Sequence, residues 1–116
     1  MNEYDDPIVG EIKSAVPFPV DVECESFPDV FFIIMLETTP DPSVLEKIAS
    51  ALNSYMLSYN KKHFIKPIHY VSDAELHSDC SIFIHIDLGN ASPKALVGAV
   101  KAVADINLPV RRLILE

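Results

Sequence analysis

Basic side chains are scarce in this chain: 9 Lys and Arg face 17 Asp and Glu, a formal charge of -8. A surface of that sign repels phosphate backbones and anionic lipid, so nucleic-acid and membrane-surface binding fall away as leading readings. Cysteine is sparse too. Cys24 and Cys80 stand far apart, with no CxxC or Cys/His ligand spacing, so two free thiols and no zinc site are expected. The longest uncharged apolar stretch, Val30 to Leu36, is far too short to span a bilayer. The opening MNEYDDPIV has neither a basic n-region nor an apolar h-region, and the compartment it suggests is the cytoplasm.

Motifs that name a reaction are missing as well. GxGxxG, GxxxxGK[ST] and GxSxG do not occur, and GNASP carries one glycine and no lysine, so it reads as a helix start rather than a phosphate cradle. No cofactor or metal is expected. Phe31, Tyr70 and Phe83 suggest the aromatic sheet face of an RNA-recognition motif, but the acidic charge and the lack of its signature argue against that use.

What is present supports a packed domain. Hydrophobic residues make up 49% and charged residues 22% of the 116, enough for a chain of this length to bury roughly two-thirds of its unfolded surface. Two segments share one plan. VFFIIML, Val30 to Leu36, is a β-rich run followed by TTPDP and then by SVLEKIASALNSYMLSYN, in which Leu45, Ile48, Leu52, Tyr55, Met56 and Tyr59 recur at helical spacing. Asp41 is placed to cap that helix and Pro42 to take its first position. SIFIHIDL, GNA, Ser92 and Pro93 repeat the plan 51 residues later, with Leu96, Ala99, Val100 and Val103 as the buried stripe.

HFIKPIHYV, His63 to Val71, reads as a strand interrupted by Pro67 and therefore an edge, and VSDAELHSDC as a loop. VRRLILE closes the sheet, its paired Arg111 and Arg112 also suiting an edge, with one of them paired to an acidic side chain across the sheet. The two most continuously apolar strands, Val30 to Leu36 and Ile82 to Leu88, belong in the centre. The expected fold is α+β, a ferredoxin-like βαββαβ split βαβ sandwich with both helices on one face, over residues 30–116. Residues 1–29 form an acidic amino-terminal arm or an extra edge strand packed on that domain. A helix opens at Asp6-Pro7 and runs through Ile12, weakened by Gly10, and Val20, Val22 and Cys24 then alternate with Asp21, Glu23 and Glu25 as in a half-buried strand. The arm either takes an edge or crosses the open face of the sheet.

Alternation assigns the faces of the central strands. Ile82, Ile84, Ile86 and Leu88 point to the helices, which places Phe83, His85 and Asp87 on the open face with Phe31, Ile33 and Met35. His85 and Asp87, two apart on one face, are close enough for a hydrogen bond, yet no activated nucleophile accompanies them. His63 reads as a helix-end cap, and His69, His77, His85 and Asp87 lack the spacing of a metal cluster. The expectation is a non-enzymatic protein acting by protein–protein contact, in its narrower form an immunity-type inhibitor that neutralises a basic partner such as a nuclease toxin. Asp21, Glu23, Glu25 and Asp29 would steer that partner and Phe27 or Tyr4 would anchor it. The alternatives are a homodimeric small-molecule-binding or regulatory domain packed through its sheet faces, and an enzyme using His85 and Asp87.

Overall fold

The computed structural model describes residues 6–24, 29–66, 68–78 and 80–116. Apolar alternation builds the centre of its sheet. β2 (Asp29–Leu36) and β5 (Ser81–Asp87) pair antiparallel, with Val30 opposite Ile86, Phe32 opposite Ile84 and Ile34 opposite Ile82. β6 (Val110–Leu115) lies antiparallel on the other side of β2. β3 (Tyr70–Val71) and β4 (Glu75–Ser78) both pair with the outer side of β5. β1 (Val20–Val22) runs parallel to β6, giving the order β1-β6-β2-β5-β3. The molecule is therefore mixed α+β, with the two most apolar strands inside the sheet.

Several boundaries differ from the sequence expectation. Only Tyr70 and Val71 of the expected 63–71 strand enter a ladder, and Pro67 lies outside the described residues. The expected loop after Val71 contains β4, which adds a short strand to the edge. β6 is not an edge along its whole length, because β1 covers Leu113 to Leu115. Arg111 and Arg112 precede that covered stretch, outside the β1–β6 ladder.

Helices α2 (Ser43–Lys62) and α3 (Ala95–Ala104) cover one sheet face. Phe32, Ile34, Ile84, Ile86, Leu113 and Leu115 meet Ile48, Leu52 and Met56 of α2 and Leu96, Val100 and Val103 of α3 in one buried core. Full burial of each large side chain contributes about 1.5–3 kcal/mol. The buried stripe of α2 runs Val44, Ile48, Leu52, Met56 and Asn60, while Leu45, Tyr55 and Tyr59 sit half-buried on its flank. α1 (Asp6–Ser14) continues past Ile12, which is fully buried, and packs against α3 and β1. Residues 6–24 thus join the helical layer and the sheet edge, and they do not cross the opposite face. Among the described residues, no helix is long and apolar enough to cross a membrane.

The two helix starts repeat each other bond for bond. Asp41 Oδ1 accepts from the Ser43 N–H at 2.9 Å, and Ser92 Oγ accepts from the Lys94 N–H at 3.2 Å. The Asp41 and Ser92 carbonyls each receive the N–H three residues on, from Val44 and Ala95, at 2.9 Å. Pro42 and Pro93 sit where an amide proton has no partner to lose. The Ser43 N–H and hydroxyl hold the Asp41 carboxyl below its ordinary pKa, as a cap bonded in its charged form should be.

Candidate functional site

The helix-free face of the sheet gathers most of the remaining chemistry. Directly opposed positions on antiparallel strands place Phe31 beside His85, and their rings stack at 4.6 Å. Tyr70 leans on the same imidazole from β3 at 5.9 Å, so His85 stands between two aromatic rings. One step along β5, Phe83 stacks on His77 of β4 at 3.9 Å. These rings, with Ser72, Asp73 and Glu75, line an open groove of about 430 Å³. Phe31 remains 46% and Tyr70 56% exposed, large values for aromatic rings on a sheet face.

His85 has a carboxylate partner, but it is not Asp87. Its Nε2–H donates to Asp29 Oδ1 at 3.0 Å, across the diagonal of the β2–β5 ladder. Asp87 Oδ1 instead accepts from the Gly89 N–H at 2.8 Å and closes the turn after β5. Gly89 is required there: its φ is +62°, and a Cβ would stand 2.9 Å from Ile68 Cγ1. Phe83, His85 and Asp87 do share one face, and Asp29 is the residue that spacing along a single strand could not have found.

The other acidic candidates separate. Asp21 pairs with Arg112 on the neighbouring strand, fulfilling the expected cross-sheet ion pair. Glu23 is exposed, and its backbone N–H donates to the Leu115 carbonyl at 2.7 Å. Glu25, Phe27 and Tyr4 lie outside the described residues.

The histidines do not converge. His63 ends α2, its Nδ1–H donating to the Tyr59 carbonyl at 2.9 Å while its ring stacks on Tyr59. His69 faces the helical layer: its Nε2–H donates to Asn53 Oδ1 at 3.1 Å and its Nδ1 accepts from the Asn60 amide at 3.0 Å. Both contacts suit a neutral ring, and burial pushes the His69 pKa below its ordinary value. Asn60 is 1% exposed and its Oδ1 has no hydrogen-bond partner among the described residues. Nor do any three His, Cys, Asp or Glu among the described residues group to hold a metal ion.

Both cysteines are free thiols. Cys24 is buried, and that burial raises its pKa against the smaller opposing influence of its own backbone N–H. Cys80 is half-buried, with Sγ 4.0 Å from Thr39 Oγ1.

Ser72, Asp73 and Glu75 are the groove residues that pattern reading did not bring together with Phe31, Tyr70 and Phe83. Glu75 and His77 alternate as strand residues should, but four residues between loop signals give too short a window to separate strand from loop. No protein-family model, curated protein or solved structure matches the chain.

Proposed function

We propose that the chain acts without catalysis, by protein–protein contact, offering the helix-free face of its sheet to a basic protein. The supporting observation is the exposed aromatic set, Phe31 and Tyr70 around His85, bordered by the carboxylates of Asp29, Asp73 and Glu75. Exposed rings supply contact area at low side-chain entropy cost, and a charge of -8 steers a cationic partner toward them. An immunity-type inhibitor that occludes a nuclease toxin in the cytoplasm is the form of this role that size and charge favour. The sheet order β6-β2-β5-β3, with neighbouring strands antiparallel, supports a ferredoxin-like arrangement to which β1 and β4 are additions.

The test is capture of purified proteins of known charge by the immobilised full chain across a salt series, with the product of the neighbouring gene among them. Basic proteins should bind at low salt and be released as salt rises, and Tyr70→Ala should weaken capture without lowering the melting temperature. Salt-insensitive capture, or none, removes the proposal.

One observation favours a second reading. Ile33, Met35 and Ile114 lie half-buried between the aromatic groove and the Asp21–Arg112 pair, an apolar strip of the sort that packs on a second copy. A homodimeric small-molecule-binding or regulatory domain would bury it, and light scattering after gel filtration would report a dimer of fixed mass.

A further inference from the structure

Resting on the binding role above, we propose that the groove between β3, β4 and β5 is a guanidinium site that receives an arginine side chain of the protein partner. Charge is the first reason. Asp73 and Glu75 line the groove, Asp29 stands behind His85, and no Lys or Arg among the described residues contributes to the lining. Carboxylates accept hydrogen bonds and cannot donate them, whereas a guanidinium has five N–H donors and no acceptor. The Ser72 hydroxyl cannot redirect that preference, because it already donates to the Asp73 carbonyl at 3.0 Å and accepts from the His85 N–H at 2.9 Å.

The rings supply the second reason. Phe31, Tyr70 and Phe83 present π surface to the same space. A guanidinium is planar and weakly hydrated and lies flat on such rings, while an ammonium keeps a tight water shell and has only a point of charge to offer. Size permits it: about 430 Å³ holds one long side chain and its planar head. The same face already accommodates one arginine of its own, Arg112 on Asp21, at the opposite end of the sheet.

The experiment titrates the full chain, labelled in its aromatic rings, with N-acetyl-arginine amide and separately with N-acetyl-lysine amide, followed by NMR. The arginine amide should shift the Phe31, Tyr70, Phe83 and His85 ring signals with a millimolar dissociation constant, about three- to fivefold tighter than the lysine amide. Asp73→Asn and Glu75→Gln, both at exposed positions, should weaken it at least twofold each with the fold intact. Equal response to the two amides, or shifts confined to residues outside the groove, overturns the site. So does a concentration-dependent dimer that buries Phe31 and Tyr70. Salt-sensitive capture of basic proteins alongside equal response to the amides removes the arginine site and leaves the binding role standing. Arginine-selective shifts without capture of any basic protein do the reverse.

Discussion

Gly98 on α3 lies against Tyr55 on α2 so closely that a Cβ at position 98 would overlap the phenol oxygen and the ring carbon that bears it. The absent side chain is what lets the two helices meet. Gly98→Ala should therefore destabilise the protein by about 1–3 kcal/mol through overpacking, despite gaining roughly 1 kcal/mol in helix propensity. In a Tyr55→Ala background the steric conflict disappears, and the same Gly98→Ala change should stabilise. Denaturant melts of the four proteins in this cycle check it, and a change of the same sign in both backgrounds would rule the contact out as the cause.

Packing beside α3 also pushes the Tyr55 phenol up to about 12. An unfolded tyrosine ionises near 10, so stability is intact below about pH 10 and is lost as pH rises from there through the folded value. Ultraviolet titration of the native protein should show one tyrosine ionising late, and Tyr55→Phe should remove that phase.

His69 gives the acidic counterpart. Its folded pKa is lowered by burial, so the unfolded chain binds the proton more readily. The contribution is complete above the ordinary imidazole value of about 6.5 and falls away as pH drops from there through the lowered folded value. His69→Gln keeps a polar side chain near Asn53 and Asn60 but cannot titrate, so melting temperature plotted against pH should flatten between pH 7 and 5 relative to the native chain. An unchanged slope would assign the acid sensitivity to other groups.

The helix start at Ser92 is a further point of measurement. Ser92→Ala removes the acceptor for the Lys94 N–H and should cost about 1 kcal/mol, whereas Ser92→Asp should hold stability near that of the native chain. Urea unfolding midpoints distinguish the two.

The thiols should separate by rate. Cys80 is the more accessible and Cys24 is buried with a raised pKa, so a maleimide should label Cys80 first, with Cys24 following only as the protein opens. Mass spectrometry of peptides after brief labelling reads the order, and equal labelling would contradict the burial of Cys24.

Period and composition made the interior legible. VFFIIML is apolar on both faces, and SIFIHIDL keeps Ile82, Ile84, Ile86 and Leu88 on one face with His85 and Asp87 on the other, a pattern that suits inner strands and placed β2 and β5. Cap chemistry likewise marked both helix starts. Periodicity tells which way a side chain points and is silent on which strand lies beside it. His85 was correctly assigned to the open face, yet its carboxylate came from Asp29, a neighbour set by the register of two strands 56 positions apart in sequence. β4 escaped, and β3 proved far shorter than the strand expected there, because two- and four-residue pairings are stabilised by β5 rather than by their own composition.

The position of β6 carries a consequence for how the chain acquires its shape during synthesis. Among the described residues β1 pairs in the sheet with β6 alone, Val20 opposite Leu113 and Val22 opposite Leu115, and the Glu23 and Cys24 amides bond the Leu115 carbonyl. As the ribosome releases the chain, β2, α2 and β5 can meet early, while β1 waits for residues made long after it. Its contacts are thus among the most distant in sequence and should be among the last to form, and a nascent chain halted before β6 emerges should leave residues 20–24 open to protease.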